Sequence, residues 1–127
     1  MHYSTNYKQF ISTDYGVTWD NGTLMTTSNY YHKQPNLIRL PDQRIVFSHG
    51  DLLYNLVLEV SSDEGTTWTP HTIMKLATQG YGNVNGPYPD TRLLNDNKTL
   101  AIAWCTNLVS QTLSDVYITF ADISVLN

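Results

Sequence analysis

An eight-residue pattern that occurs twice in this chain limits what the chain can fold into. It spans residues 12–19 and 61–68, so that its aspartates, Asp14 and Asp63, stand 49 residues apart. Self-similarity at a period of this length is typical of propellers, solenoids and arrays, in which each repeat is one supersecondary unit. We therefore expect the chain to consist of successive copies of one small unit.

The residue types in this pattern suit the turn of a β-hairpin. An aspartate carboxylate can accept hydrogen bonds from backbone N–H groups further along a tight turn. Glycine two positions later adopts a positive φ without steric cost, and the Thr-Trp that follows begins a return strand with β-branched and aromatic bulk. Strand-like runs precede both copies, at residues 7–11 and 56–60. Each copy therefore predicts a strand, a turn and a second strand.

The pattern Ser-x-Asp-x-Gly-x-Thr-Trp resembles the Asp-box, also called the BNR repeat, of sialidases and related β-propellers. In that family the box lies between the third and fourth strands of a four-stranded blade, on the face opposite the active site. The resemblance implies that the box residues stabilise turns and blade packing and do no chemistry. These residues are Ser12, Asp14, Gly16, Trp19, Ser61, Asp63, Gly65 and Trp68. Both tryptophans are expected to pack between neighbouring strands.

A strand-turn-strand pattern is also repeated, beginning at Pro35 and again at Pro89, 54 residues later. Pro, Asp and Asn mark its turns, and helix signals are essentially absent from the chain. We therefore predict an all-β fold, a partial β-propeller of four-stranded antiparallel blades in a single segment, 1–127. It would hold a partial blade at 1–27, a full blade at 35–78 and a partial blade at 87–126, with two, four and three strands.

Two to three blades are too few for a closed ring, and two explanations stay open. Three chains would close a six-bladed ring by β-strand addition, which predicts a homotrimer. In the other explanation the chain is a fragment of a polypeptide that encodes the rest of the ring. Nine predicted strands exceed the eight that a trimer of two-blade chains needs, so one terminal strand would be peripheral.

Composition and charge exclude several kinds of partner. A net charge of −4, with seven Lys and Arg scattered singly, gives no electrostatic footprint for nucleic acid. No window approaches the run of about 18 apolar residues that a membrane span requires. The single cysteine, Cys105, lies in an apolar strand and is expected to be a buried small hydrophobe. No signal peptide opens the chain, although the resemblance favours a secreted or extracellular protein.

The face opposite the boxes is predicted to bind a glycan or glycoconjugate, with no cofactor and no metal. Its loops are rich in polar aromatics, amides and acids, which stack on sugar C–H surfaces and hydrogen-bond sugar hydroxyls. His49 is expected there as a solvated loop histidine. The predicted ligand-binding residues are Arg39, Arg92, His49, Tyr54 and Tyr88, and the candidate catalytic carboxylates are Glu59, Asp51 and Asp90.

The resemblance implies a sialidase chemistry with three arginines for the substrate carboxylate, a Tyr nucleophile with a Glu partner, and an Asp acid/base. Arg44 directly follows a turn on the box side, and the Phe/Tyr-Arg-Ile-Pro motif of the family is absent. Arg39 and Arg92 are either strand residues that reach a neighbouring loop or anion clamps that line the channel. Two function classes stay open: a sialidase-like glycoside hydrolase, and a non-catalytic propeller that binds glycans or proteins.

Overall fold

The chain is an all-β protein, as the sequence predicts. Its computed structural model describes residues 7–25, 35–51, 55–75, 88–107 and 114–127, and these contain no α-helix. The described strands form three antiparallel sheets of two, four and three strands, which confirms the predicted strand counts. The strands are β1 (Lys8–Gln9), β2 (Thr23–Leu24), β3 (Asn36–Arg39), β4 (Ile45–Gly50), β5 (Leu56–Ser61), β6 (Thr69–Met74), β7 (Asp90–Leu93), β8 (Thr99–Asn107) and β9 (Ser114–Asp122), and a 3-10 helix, Ile123–Leu126, follows them.

Each sheet is a meander in which strands that follow one another in the chain pair with one another. The first sheet contains β1 and β2, the second contains β3 to β6, and the third contains β7 to β9. The three sheets fall within the ranges 1–27, 35–78 and 87–126 that the sequence predicts for its repeat units. The first box joins β1 to β2, and the second box joins β5 to β6.

The hydrophobic core lies between the second and third sheets. Side chains alternate between the two faces of a strand, so every second residue of β4 and β5 points toward the third sheet. Leu58 on this face is fully buried, as are Leu100 and Ile102 of the third sheet. The core also contains Leu40, Val46, Leu56, Val60, Trp104 and Leu126.

The opposite face of the second sheet is covered by the first sheet. The Tyr7 ring packs edge-on against Phe47, with 5.1 Å between the ring centroids. Gln9 donates a hydrogen bond of 2.9 Å from Nε2 to the carbonyl oxygen of Gly65. The three sheets are therefore stacked in the order of the chain. Because the second sheet is covered on both faces, all six residues of β5 are buried.

The turns that join β3 to β4 and β7 to β8 are similar but differ by one residue in length. Gln43 and Asn97 both have a positive φ, at 74° and 57°. Arg39 pairs with Ile45, whereas Leu93 pairs with Leu100, so the second turn holds one residue more. The spacing of 54 residues therefore relates β3 to β7, but a spacing of 55 relates β4 to β8.

Arg44 connects the first of these turns to the end of the chain. Its guanidinium lies 2.7 Å from the carboxylate of Asp42, and its Nη1 donates a hydrogen bond of 2.9 Å to the carbonyl oxygen of Leu126. Arg44 thus lies on the box side, as the sequence predicts. Within the part of the chain that the structure describes, no helix is long and apolar enough to cross a membrane.

Candidate functional site

The second box is closed by hydrogen bonds among the side chains of Ser61, Asp63 and Thr67 and the backbone of the box. The Ser61 hydroxyl donates to Asp63 Oδ1 at 2.8 Å and accepts from the Gly65 N–H at 2.8 Å. Asp63 Oδ1 also accepts from the Thr67 N–H at 2.8 Å, and its Oδ2 accepts from the Thr67 hydroxyl at 2.6 Å. Both carboxylate oxygens of Asp63 are therefore used to hold the turn.

The first box repeats this network. The Ser12 hydroxyl donates to Asp14 and accepts from the Gly16 N–H, at 2.8 and 2.7 Å. Asp14 in turn accepts from the N–H and the hydroxyl of Thr18, at 2.8 and 2.5 Å. Gly16 has a φ of 87°, as the sequence predicts for this position. Its counterpart in the second box has a φ of 85°.

The residue before each box glycine also has a positive φ, which the sequence analysis missed. Tyr15 has a φ of 58° and Glu64 has a φ of 57°. Neither is Gly, Asn or Asp, the residues in which such a conformation is most common. No residue preference signals this conformation, and in both boxes the turn around it is held by the hydrogen bonds of the neighbouring serine and aspartate.

These hydrogen bonds stabilise the ionised form of the box aspartates. The Thr18 hydroxyl, the Thr18 N–H and the Ser12 hydroxyl together lower the pKa of Asp14 to about 2. The corresponding groups of Thr67 and Ser61 lower the pKa of Asp63 to about 2. At neutral pH both carboxylates are charged and fully engaged, which makes them unsuited to general acid/base catalysis.

The two box tryptophans lie in different environments. Trp68 is half-buried, and its indole N–H donates a hydrogen bond of 3.0 Å to the carbonyl oxygen of Gly65. The centroid of its ring lies 5.9 Å from the centroid of the Phe47 ring. Trp19 is 61% exposed, so the expected packing between strands does not hold for it. Trp68 lies in the box of the second sheet, which has four described strands, whereas Trp19 lies in the box of the first sheet, which has two described strands, β1 and β2. Fewer described strands are therefore available to cover Trp19.

The end of the sheets opposite the boxes, here called the loop end, is where the sequence predicts the ligand site. In these meanders β3, β5 and β7 begin at this end and β4 finishes there. The terminal residues at this end are Asn36 of β3, Gly50 of β4, Leu56 of β5 and Asp90 of β7. Polar side chains at this end therefore come from neighbouring strands.

A polar cluster at the loop end joins the second and third sheets. Asn36 Nδ2 donates to Asp90 Oδ1 at 2.9 Å, and Asn36 Oδ1 accepts from the Thr91 N–H at 3.2 Å. Arg92 lies beside Asp90, with 3.5 Å between Nη2 and Oδ2. The side chains of Asp90 and Arg92 are 56% and 69% exposed. We call Asn36, Asp90 and Arg92 the loop-end polar cluster, which is open to a ligand.

The loop-end polar cluster lies above a buried hydrogen bond between the second and third sheets. Beneath it the Thr91 hydroxyl donates a hydrogen bond of 2.8 Å to the Ser48 hydroxyl, and both residues are fully buried. Tyr88, a predicted ligand-binding residue, precedes the cluster in the chain and is half-buried, followed by buried Pro89. Tyr54, another such residue, lies outside the described residues.

Asp51, a second candidate carboxylate, closes a short loop. Its Oδ1 accepts from the Asn55 N–H and its Oδ2 accepts from the Asn55 side-chain amide, both at 2.8 Å. An aspartate that bonds backbone a few residues ahead in this way stabilises a turn. Asp51 thus lies at the loop end, as predicted, with both carboxylate oxygens engaged by Asn55.

Glu59 and His49 are inside the protein. Both side chains are fully buried, and Glu59 Oε1 lies 3.3 Å from Nε2 of His49. The expectation that His49 is a solvated loop histidine is wrong, because β4 continues to Gly50 and the first sheet covers this face. Glu59 points between the first and second sheets and pairs across strands with Phe47. Neither side chain is open to a glycan in this arrangement.

Arg39 lies at the box side of the second sheet. It holds Glu64 with two hydrogen bonds, of 2.9 and 2.6 Å, and its Nη1 donates to the Gln43 carbonyl oxygen at 3.0 Å. The guanidinium therefore reaches neighbouring loops, which is the first of the two alternatives left open for it. Arg39 and Arg44 lie at the box side and Arg92 near the loop end, so the structure does not bring the three arginines together.

Among the residues that the structure describes, no group of three or more His, Cys, Asp or Glu is arranged to hold a metal ion. A comparison of the chain with protein-family models, with curated proteins and with solved structures finds no match.

Proposed function

We propose that this chain is part of a sialidase-like Asp-box β-propeller and that its loop end recognises glycans. The observation that carries the proposal is the pair of boxes, which share one hydrogen-bond network and each join two antiparallel strands. The second box joins the third and fourth strands of a four-stranded meander. Propellers are built from such four-stranded sheets. The stacking of the sheets in chain order supports this reading.

The loop-end polar cluster supplies the chemistry that a sugar needs. Asp90 can accept hydrogen bonds from sugar hydroxyls, and Asn36 can both donate and accept. Arg92 is suited to a ligand carboxylate, because a guanidinium pairs with a carboxylate through two parallel hydrogen bonds. Its contact with Asp90 is exposed and 3.5 Å long, so an acidic sugar can compete for it at little cost. An acidic glycan is therefore the ligand class that we propose.

Recognition without hydrolysis is the function that we propose for this chain taken alone. Most glycosidases flank the scissile bond with two carboxyl groups. Of the three candidate carboxylates, only Asp90 lies in the exposed loop-end polar cluster. Glu59 is buried beside His49, and Asp51 is engaged by Asn55. The arrangement of the described residues therefore favours a binding role over a catalytic one.

A glycan array of sialylated and neutral glycans, followed by titration calorimetry, tests the proposal. Arg92→Ala should lose binding to acidic glycans, and Asp90→Asn should weaken binding to all glycans that bind. Arg39→Ala is the matched control, because it also removes an exposed strand arginine paired with a carboxylate, but at the box side. This control should bind like the unmodified protein.

The same samples should be assayed with a fluorogenic sialoside and with other aryl glycosides. We expect no turnover above that of buffer. Turnover that Asp90→Asn abolishes would replace the binding role by a hydrolase role. Loss of binding in Arg39→Ala but not in Arg92→Ala would place the ligand at the box side, against the proposal.

A further inference from the structure

On the outer face of the third sheet, which points away from the second sheet, β8 and β9 are apolar and no described residue covers them. Val116, Ile118 and Phe120 occupy alternate positions of β9 and are 74%, 61% and 63% exposed. Small residues lie opposite them in β8. In register, Cys105 faces Val116, Ala103 faces Ile118 and Ala101 faces Phe120. The result is a continuous apolar face of a kind that proteins rarely leave in contact with water.

The second sheet has an equivalent face, and there it is covered. Leu56, Leu58 and Val60 alternate along β5, and Gly50, Ser48 and Val46 lie opposite them in β4. Apolar residues again alternate along one strand, and two of the three residues opposite them, Gly50 and Ser48, are small. These three large residues are only 0%, 0% and 6% exposed, because the third sheet packs against them.

The first sheet offers a face that can cover it. Tyr7 and Gln9 point toward the second sheet, so the alternation of side chains directs Lys8 and Phe10 to the other side. Leu24 pairs with Lys8 and shares that side. Phe10 and Leu24 are 51% and 54% exposed, and the Lys8 ammonium lies 5.2 Å from the centroid of the Phe10 ring. We call this the outer face of the first sheet.

The interface between the first and second sheets and the interface between the second and third sheets are formed by equivalent sides of the sheets. The side of β1 that holds Gln9 meets the second sheet, and the corresponding side of β5, which holds Leu58, meets the third sheet. The side of β9 that holds Ile118 corresponds to these two, and none of the described strands packs against it. The described part of the chain thus carries one uncovered face of each kind.

We propose that the outer face of the third sheet docks against the outer face of the first sheet of a second copy of this chain. The contact is heterologous, so it either closes into a ring or continues as a fibre. Three sheets per chain would give six sheets in a closed pair, instead of the trimer predicted from the sequence. The inference rests on the stacking of the sheets. Asp90 and Arg92 lie on the same outer face, because they pair with Ala103 and Ala101 of β8, but they belong to β7, the edge strand, and so flank the apolar contact of β8 and β9.

Light scattering on the purified chain and three variants tests the proposal. Ile118→Lys places a charge on the outer face of the third sheet, and Phe10→Lys places one on the outer face of the first sheet. Val17→Lys is the matched control, because Val17 is 80% exposed in the first box and lies on neither face. We expect the unmodified chain and the control to assemble, and each face variant to have the 14.4 kDa mass of one chain.

An equimolar mixture of the two face variants makes the test specific. Phe10→Lys keeps its third-sheet face and Ile118→Lys keeps its first-sheet face, so the mixture should form a heterodimer through one intact contact. Circular dichroism should stay unchanged in each variant, because both positions are exposed in the single chain. The melting temperature of the assembled chain should lie above that of the monomeric variants and should rise with protein concentration. The Cys105 thiol should react with maleimide more slowly in the assembly than in Ile118→Lys.

Several results would overturn the proposal. An unmodified chain that stays monomeric at all concentrations would leave the face to another protein or to further sequence, and glycan binding by such a monomer would leave the proposed function standing. Assembly of Phe10→Lys but not of Ile118→Lys would indicate that two third sheets pair with each other. A mixture that stays monomeric would exclude the head-to-tail contact.

Discussion

Glu59 Oε1 lies 3.3 Å from Nε2 of His49, and both side chains are completely buried between the first and second sheets. His49 Nδ1 lies 2.9 Å from the Gly50 carbonyl oxygen, which can only accept, so Nδ1 carries a hydrogen. The second carboxylate oxygen, Oε2, has no hydrogen-bond partner among the residues that the structure describes. A half-satisfied buried group of this kind makes the pair sensitive to substitution.

Removal of one member of this pair should destabilise the fold more than removal of both. Glu59→Leu or His49→Leu alone should lower the free energy of unfolding by about 3–5 kcal/mol, because each leaves a buried polar partner unpaired. The double variant should lose clearly less free energy of unfolding than the two single variants lose together. Urea unfolding measures all three, with the exposed Glu64→Gln as control. Additive losses would show that the two side chains do not interact.

The box aspartates should make the fold sensitive to acid. Their pKa of about 2 lies below the value of 3.8 for an unperturbed aspartate, so they stabilise the fold above pH 4. This contribution should be lost as the pH falls from about 4 through 2. Hydrogen bonds from Thr99 and Lys98 also lower the pKa of Asp96 to about 2, so its contribution to stability should be lost over the same pH range. Chemical denaturation between pH 2 and pH 7 measures the loss.

Thr67 should be the main cause of the low pKa of Asp63. Thr67→Val removes the 2.6 Å hydrogen bond to Oδ2, so the pKa of Asp63 should rise toward 3.8. Thr66→Val is the control, because the Thr66 hydroxyl donates to the Asp63 backbone carbonyl and not to its carboxylate. A carboxyl NMR titration gives both values. An equal rise in both variants would contradict the assignment.

The two box tryptophans should contribute unequally to stability. Trp68→Ala should cost about 2 kcal/mol, less than the about 3–5 kcal/mol of a fully buried aromatic, because Trp68 is half-buried. Trp19→Ala should cost much less in the isolated chain, because Trp19 is 61% exposed. Urea unfolding of both variants measures the difference. Equal losses would mean that Trp19 is covered in solution.

The two box glycines should also differ in how strongly a substitution by alanine destabilises the fold. Both have a positive φ, so alanine should be strained by about 1–2 kcal/mol at either position. At Gly65 an added Cβ would also lie 3.3 Å from Gln9 Oε1 and 3.4 Å from the Trp68 ring, whereas at Gly16 its nearest neighbour is 3.8 Å away. Gly65→Ala should therefore have the lower melting temperature. The opposite order would show that the first and second sheets do not pack closely.

The box turns and the strand counts are predictable from the sequence because their causes are local. Every hydrogen bond of Asp63 described here joins it to a residue at most four positions away. The strand-like run at residues 56–60 likewise predicts β5. The positive φ of Glu64 was missed, because no residue preference signals a conformation that its neighbours impose.

The locations of His49 and Arg39 depend on contacts between distant parts of the chain. His49 is buried because β4 extends past it and because Tyr7, 42 residues earlier, lies on the same face. Arg39 turns to Glu64 because the second box lies beside the end of β3. Neither relationship is visible in the residues next to them in the sequence.

The sequence by itself determined the repeated turns, the antiparallel hairpins and the alternation of large apolar residues. The tertiary structure alone decided which of these residues are covered. Leu58 and Ile118 occupy equivalent positions in β5 and β9, yet Leu58 is fully buried and Ile118 is 61% exposed. The physical reason is that burial depends on a second surface, and within the described chain only Leu58 has a sheet packed against it.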